Sequence, residues 1–597
     1  MTYNRIDDYG IIGDLHTAVL VGSDGSIDWA CLPHFDSPSI FAAILDSEKG
    51  GHFRVSAQDG GTSRSLYYPE TNVLITRFAG SSGVAQVLDF MPVDEPAHER
   101  SIVRYVQGVR GSASVRVECR PRFNYARSHH GVEQVEGGVV FTSQEGARLG
   151  LSVPVPFTID EGGVVAEFTL NEGEVAALEL RPLKDDEQAL PPLTSAAAGE
   201  LLGRTIAYWR RWLSKCRYQG RWREMLQRSL LALKLLTFAP TGAIVASPTT
   251  SLPEAVGGTR NFDYRFCWIR DAAFTIYALM RVGMTDEARQ FMDWLEVCLK
   301  DFNEEVGLRS VYTIRGDPVP HEEELEHLAG HADSRPVRIG NGARDQFQLD
   351  IYGELMDSIY LYNKYGSPIS YDLWCHLRKI LDWVAHNWRR SDDGIWEVRG
   401  GRQNFVYSKL MCWVALDRGL RLAAKRSFPA NRSLWEPERD AIYEEIMQRG
   451  WNEKKKAFVQ FYGSEALDAS NLIMPLVFFL SPMDPRMVCT VDATLDELTY
   501  DSLVRRYDPG EAADDGFTGE EGTFSLCTFW LVECLTRQGR VDEARFLFER
   551  MLGYANHLGL YSEEVGVTGE ALGNFPQAFT HLTLISAAFN LDRALKN

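Results

Sequence analysis

The stretch LPPLTSAAAGELLGRTIAYWRRWLSKC, residues 190–216, marks the point where the hydrophobic pattern of the chain changes. Before it, short segments alternate apolar and polar residues, which is typical of β-strands. After it, apolar residues recur at the three- and four-residue spacing of amphipathic helices. A chain of 597 residues is also too long for one hydrophobic core. The sequence therefore predicts a strand domain followed by a helical domain.

The N-terminal region contains strand-like pieces bounded by turn residues. Residues 17–32 read TAVLVGSDGSIDWACL and residues 72–93 read NVLITRFAGSSGVAQVLDFMPV, each with a Gly/Ser turn signal between apolar runs. Regularly spaced short strands with frequent turns are typical of antiparallel sandwiches. We expect an antiparallel β-sandwich over residues 1–190 and a helical linker over residues 191–221.

The remaining residues, 222–597, contain about a dozen amphipathic helical segments. They show no fixed repeat of the length found in solenoid proteins, so an open helical array is disfavoured. A closed toroid of paired helices is favoured instead. In such a toroid, the loops at one end converge on a central pocket, which is where we expect a functional site.

Charge and cysteine content limit the classes of partner. Lys and Arg number 62 and Asp and Glu number 82, which gives a net charge of −20 and disfavours binding to nucleic acid or to anionic membranes. The N-terminus lacks the basic and apolar regions of a secretory signal, and the ten cysteines include no CxxC pair. We therefore expect a cytoplasmic protein with reduced thiols and a small-molecule substrate.

Three segments next to predicted helices mix aromatic rings with fixed charges. They are FDYRFCWIRDAAF at 262–274, RDQFQLDIYGELMDSIY at 344–360 and LYSEEVGVTGEALGNFPQAF at 560–579. Aromatic rings stack on the apolar face of a sugar, while carboxylate and guanidinium groups bind its hydroxyls. Each charged residue alone could equally be a helix cap or a surface ion pair. Their shared position at helix starts favours one sugar-binding pocket.

A pocket with two carboxyl groups could cleave a glycosidic bond. One carboxyl group must be protonated to donate to the leaving oxygen, and the second must be ionised. The second group attacks directly or activates water, depending on the separation of the pair.

A metal site is a weaker alternative. HEEELEHLAGH at 321–331 contains three histidines, but Leu325 occupies the position where a zincin motif needs histidine. A polar loop near the pocket is favoured for this stretch. Gly-rich phosphate-binding motifs and a GxSxG elbow are absent from the sequence.

Together, several motifs resemble glycoside hydrolase family 15, which includes glucoamylases and bacterial and archaeal trehalases. They are YRFCWIRDAAF, QLDIYGE, ALDASNLIMPLVFFL, EEGTFSLCTFWLVECL and GLYSEEVGVTGEALGNFPQAFTHLTLI. The N-terminal stretch IDDYGIIGDLHTAVLVGSDGSIDWACLPHFDSPSIFAAIL resembles the β-sandwich domain of the trehalase-like branch. The resemblance implies an (α/α)6 barrel that hydrolyses a terminal α-glucosyl unit with inversion, without a metal or other cofactor.

The resemblance also implies roles for particular residues. The general base is Glu563, and the pair that binds hydroxyls is Arg270 and Asp271. The aromatic lining is Tyr264 and Trp268. Glu521 is a weaker candidate for sugar contact. Glu564 is expected to be structural.

The general acid departs from the family pattern. Fungal glucoamylases carry two adjacent acids in the corresponding segment, where this chain has Gly353 and Glu354. We assign the acid to Glu354, with Asp350 as the alternative.

The expected substrate is a small α-glucoside, with trehalose first. Isomaltose or a short malto-oligosaccharide comes second. A disaccharide phosphorylase would not need Glu563, and a sugar-binding protein without activity would not need the intact set of acids. These two alternatives are therefore less favoured.

Overall fold

The computed structural model describes residues 3–517 and 521–596. In this part of the chain, fifteen antiparallel strands form the N-terminal domain. Their bounds are β1 Tyr9–Gly13, β2 Ala18–Gly22, β3 Ser26–Cys31, β4 Ser39–Phe41, β5 His52–Ala57, β6 Thr62–Tyr67, β7 Leu74–Ala79, β8 Gly83–Phe90, β9 Ile102–Arg120, β10 His130–Val135, β11 Gly138–Ser143, β12 Arg148–Ser152, β13 Phe157–Asp160, β14 Gly163–Asn171 and β15 Val175–Pro182.

The long strand β9 joins the two layers of this domain. Its first half pairs with β8 and β15, and its second half pairs with β5 and β14. Along β9, buried residues alternate with more exposed ones, so one face points to the core between the layers. The predicted antiparallel β-sandwich is confirmed.

Helices are the main regular elements of the C-terminal half. The helices are α1 Phe123–Ala126, a single turn in the first domain, α2 Ser195–Leu213, α3 Arg223–Leu235, α4 Ala272–Val282, α5 Thr285–Cys298, α6 Ile351–Tyr365, α7 Tyr371–Asn387, α8 Val406–Arg426, α9 Arg432–Glu445, α10 Pro485–Glu497, α11 Ser525–Arg537, α12 Val541–Leu552 and α13 Ala578–Ala594.

Six inner elements close into a ring. Helix α4 packs on α6, α6 on α8, α8 on the 3-10 helix Ala469–Ile473, that helix on α11, α11 on α13, and α13 back on α4. The six outer helices are α3, α5, α7, α9, α10 and α12, each of which precedes an inner element in sequence. The fourth inner element is short because Pro475 follows it, and proline cannot continue a helical hydrogen-bond ladder. This arrangement is the expected (α/α)6 barrel.

The sandwich supports the loop that precedes α4. The buried guanidinium of Arg265 pairs with Asp263 at 2.6 Å and donates to the Ser37 carbonyl of the sandwich at 2.9 Å. The indole nitrogen of Trp29 donates to the carbonyl of Pro248 at 2.7 Å. Two buried polar contacts therefore fix this loop against the first domain.

Candidate active site

The N-terminal ends of the inner helices surround a pocket, which we call the inner pocket. Its lining combines aromatic rings with charged and amide side chains: Ala246, Tyr264, Trp268, Arg270, Asp271, Ile395, Trp396, Glu397, Arg506, Phe524, Leu526, Gln577 and Phe579.

The loop before α4 contributes four of the predicted residues. Trp268 ends a short strand that pairs with Val311, and the chain then turns through a 3-10 helix into α4. This path brings Tyr264, Trp268, Arg270 and Asp271 to the inner pocket. The sequence prediction that these four residues lie together is in agreement with the structure, while their contact with a sugar stays a prediction.

The Arg270 and Asp271 side chains lie next to each other in the pocket wall. Arg270 Nε lies 3.7 Å from Asp271 Oδ1, and Arg270 Nη1 donates to the carbonyl of Ile395 at 2.7 Å. Burial raises the pKa of Asp271 to about 6, although the neighbouring guanidinium opposes that rise. A charged pair held at a pocket wall can bind sugar hydroxyls.

Glu563 lies directly behind this lining and is 1% exposed. The backbone nitrogen of Asn574 donates to its Oε2 at 3.2 Å, and Gln577 Nε2 lies 3.4 Å from its Oε1. Burial, together with the nearby carboxylate of Glu254, raises the pKa of Glu563 to about 8. The loop from Gly573 to Gln577 therefore fixes Glu563 beside the inner pocket.

Glu564 points away from Glu563 into a small sheet. It pairs with Phe524 and Leu572, and its Oε2 accepts from the backbone nitrogen of Gly522 at 2.9 Å. The side chain is fully buried, which raises its pKa well above the usual range of a carboxyl group. These contacts are those of a structural residue.

Sequence reasoning missed Glu397, which lies in the loop before α8. Trp268 Nε1 donates to its Oε1 at 2.7 Å, and Arg270 Nη1 and Gln348 Nε2 approach the same oxygen at 3.2 and 3.3 Å. Its Oε2 accepts no hydrogen bond from any described residue. The backbone φ of Glu397 is +59°, a left-handed conformation that is uncommon for residues other than glycine. Such strain is often found at functional sites.

A signal for Glu397 was present in the sequence. The segment DDGIWEVRGG, residues 392–401, precedes a helix and combines acidic groups with tryptophan, as the other candidate loops do.

Glu354 lies outside the inner pocket. It is 1% exposed, accepts a hydrogen bond from the hydroxyl of Tyr407, and lines a second cavity deeper in the barrel. The rings of Phe274 and Phe579, with centroids 4.9 Å apart, line the deeper and the inner cavity respectively. Burial raises the pKa of Glu354 well above the usual range. The structure thus does not bring Glu354 to the predicted pocket surface.

Asp350, the alternative acid, is also buried. Neither of its carboxylate oxygens has a hydrogen-bond partner among the described residues. Burial raises its pKa to about 7, and the positive charge of Arg270 opposes that rise.

Glu521 does not line the pocket itself but binds Arg506, which does. Its carboxylate forms a two-point pair with Arg506, at 2.9 and 2.8 Å, and lies 3.4 Å from Arg260. Arg506 itself lines the pocket and also pairs with Glu254 at 3.0 Å. Glu521 therefore orients a pocket residue and is absent from the lining.

The histidine stretch packs on the first domain. His327 and His331 make hydrogen bonds to the carbonyls of Tyr125 and Ile44 of the sandwich domain. Within residues 3–517 and 521–596, no group of three or more His, Cys, Asp or Glu side chains is arranged to hold a metal ion. Over the same residues, no helix is both long enough and apolar enough to span a bilayer.

Known proteins are similar to this chain in sequence and in fold. A family model described as glycosyl hydrolases family 15 matches residues 220–589, and one described as trehalase-like, N-terminal, matches residues 2–190. The chain is 39% identical to a trehalase of Mycobacterium tuberculosis, with 99% of this chain and 90% of that one covered. A trehalase of Thermoplasma volcanium is 36% identical, with 99% and 94% covered.

Among solved structures, a bacterial glucoamylase complexed with acarbose matches with a TM-score of 0.75, over 99% of this chain and 95% of that one. Its sequence identity is 14%, so this match shows the fold. The family model and the trehalase relatives identify a glycoside hydrolase. The chain belongs to glycoside hydrolase family 15.

Proposed function

We propose that the protein hydrolyses trehalose to two glucose molecules, with inversion at the carbon that is attacked. Similarity to trehalases over nearly the full chain supports this substrate. The observation that carries the proposal is that Glu397 and Glu563 both lie at the inner pocket beside Tyr264. Burial raises the pKa of Tyr264 well above its usual range, and both carboxylates add to that rise.

We assign the general acid to Glu397 in place of Glu354. Glu397 lines both the inner pocket and an adjoining pocket whose walls include Arg260, Phe262 and Arg399, so a bond between sugar units in the two pockets would pass beside it. A general acid must be within hydrogen-bond reach of the leaving oxygen. The Oε2 of Glu397, at the lining of the inner pocket, is available for such a contact, whereas Glu354 faces a different cavity.

Glu563 is then the general base. Its carboxylate lies behind the lining beside Gln577, and in this role it would activate a water molecule between itself and the sugar. An inverting enzyme needs this space, since its two carboxyl groups are about 6.5–9.5 Å apart. Glu563 must be ionised to accept a proton from that water.

The remaining lining residues would bind the glucosyl unit that is attacked. Trp268 and Tyr264 provide aromatic walls, with ring centroids 5.4 Å apart, and Arg270 and Asp271 provide hydrogen-bonding groups for hydroxyls. Arg506, which Glu521 orients, adds a further cation to the pocket.

We also carry forward the domain division at 1–190, 191–221 and 222–597 and the cytoplasmic location. The last sandwich strand ends at Pro182, and α3 begins at Arg223, which supports the division. All ten cysteines are free thiols, as expected for a reducing compartment.

Product analysis tests the proposed function. The enzyme is incubated with trehalose, isomaltose or maltose, with and without phosphate, and products are followed by NMR before mutarotation. Trehalose should give one β-glucose and one α-glucose, independently of phosphate. Two α-glucose molecules would refute inversion, glucose 1-phosphate would indicate phosphorolysis, and activity on isomaltose without activity on trehalose would refute the substrate.

A further inference from the structure

The start of helix α13 lies directly behind the loop that carries Glu563. Three residues there, Gln577, Thr580 and His581, are at most 3% exposed, and each contacts residues 561–563. Gln577 also lines the inner pocket, whereas Thr580 and His581 are absent from its lining. These two buried polar side chains have no part in the mechanism described above.

His581 holds the backbone two residues before Glu563. The backbone nitrogen of Tyr561 donates to His581 Nε2 at 3.3 Å, and the Tyr561 carbonyl accepts from the backbone nitrogen of Gln577 at 3.0 Å. Because Nε2 accepts, the ring hydrogen is on Nδ1, which lies 3.0 Å from Ser229 Oγ. Burial lowers the pKa of His581 to about 3, so the ring is neutral near pH 7 and keeps this acceptor.

Thr580 acts on the carboxylate of Glu563 through Gln577. Thr580 Oγ1 donates to Gln577 Oε1 at 2.7 Å, and the other end of the same amide, Nε2, lies 3.4 Å from Glu563 Oε1. The hydroxyl therefore selects the amide orientation that presents a donor to the carboxylate. Without the hydroxyl, the amide is free to turn its oxygen toward Glu563, where the two oxygens repel each other.

We propose that His581 and Thr580 are positioning residues for the general base: His581 fixes the backbone of the Glu563 loop, and Thr580 fixes the amide that contacts the carboxylate. This inference rests on the proposed function, which assigns the base to Glu563. Both residues act through Glu563 and not through contact with the sugar. A displacement of about 1 Å in a reacting group can cost about 100-fold in rate, so these contacts should affect turnover as well as stability.

Two pairs of variants of matched size separate the hydrogen bonds from packing. In His581→Gln the amide oxygen can replace Nε2 as the acceptor, whereas His581→Met is of similar length and has only a weakly accepting sulfur. Thr580→Ser keeps the hydroxyl, and Thr580→Val keeps the shape of threonine without it. His331→Met is the control, since His331 is also a buried histidine, but its Nδ1 contacts the carbonyl of Ile44 in the sandwich domain.

We measure kcat and KM on trehalose and on α-D-glucosyl fluoride, under conditions in which each variant is folded by denaturant titration. His581→Met and Thr580→Val should lower kcat about 10- to 100-fold on both substrates and change KM less than about threefold, the pattern of an interaction that acts in the transition state. His581→Gln and Thr580→Ser should stay within about threefold of the wild type. His331→Met should lose stability and keep the kcat of the wild type.

Near-normal kcat in both His581→Met and Thr580→Val would overturn the inference, and so would equal losses within each pair. If His581→Met does not fold, the Thr580 pair decides. Failure of the proposed function gives a different result, because Glu563→Gln would then keep its activity. An inactive Glu563→Gln together with fully active His581→Met and Thr580→Val refutes the inference alone.

Discussion

Replacing Gly573 by alanine should displace the carboxylate of Glu563 and thereby lower the reaction rate. Gly573 has a φ of +71°, and a methyl group there would lie 2.5 Å from Glu563 Oε2 and 2.7 Å from its Cβ. Contact normally begins near 3.5 Å, so the carboxylate must move by about 1 Å. A displacement of that size can cost about 100-fold in rate, or about 2.7 kcal/mol of transition-state stabilisation.

A second glycine, Gly569, serves as the control for the backbone cost of placing alanine in a left-handed conformation. Gly569 has a φ of +85°, but the nearest atom to a methyl there is a Tyr554 carbon 3.8 Å away. Alanine in a left-handed conformation costs about 1–2 kcal/mol at either position. Gly569→Ala should therefore lose this backbone cost alone in denaturant titrations, whereas Gly573→Ala should lose the same amount plus the cost of displacing Glu563.

Their activities should differ. Steady-state kcat on trehalose should fall about 100-fold in Gly573→Ala and stay within about threefold of wild type in Gly569→Ala. Near-normal turnover by Gly573→Ala would refute the view that this carboxylate is positioned for the reaction.

Two further predictions concern charge. Glu563 must be ionised while Glu397 is protonated, and burial raises the pKa of Glu563 to about 8 with a contribution from the charge of Glu254. The limb of the kcat/KM profile near pH 8 should therefore move to lower pH in Glu254→Gln. An unmoved limb in a pH profile from 5 to 9 would contradict the coupling. Arg265→Met should destabilise the fold by about 3–5 kcal/mol, because it leaves the buried carboxylate of Asp263 without its partner. Arg64→Met is the control, since Arg64 is exposed. An equal denaturation midpoint for the two variants would refute the stabilising role of the Arg265–Asp263 pair.

The fold was predictable from hydrophobic periodicity, because each domain keeps one period over many segments. Alternation along residues 17–32 and 72–93 indicated strands, and both stretches lie in the sandwich. The ring closure was not readable from periodicity alone. It depends on contacts between α13 and α4, which are hundreds of residues apart.

The loop residues of the site were more predictable than the acid. Tyr264 and Asp271 precede or cap a helix, and such positions face the pocket. Glu354 lies four residues beyond Asp350, the cap of α6, and a helix rises about 1.5 Å per residue. Its backbone therefore lies about 6 Å further along the helix axis than that of Asp350.

Glu397 was missed because its role depends on a tertiary contact. Trp268, which donates to it, is 129 residues away in sequence. Spacing within one segment carries no information about such a pairing. The composition of the loop before α8 was the only local signal.

The central claim is that Glu397 and Glu563 are the acid and the base, and substrate-dependent loss of activity tests it most directly. Fluoride leaves without protonation, so a missing acid affects trehalose alone, whereas a missing base affects both substrates. Glu397→Gln should lose about 100- to 10,000-fold on trehalose and retain most activity on α-D-glucosyl fluoride, while Glu563→Gln should lose both. Glu354→Gln is the comparison variant and should retain both activities. If Glu354→Gln shows the selective loss and Glu397→Gln does not, the assignment is contradicted.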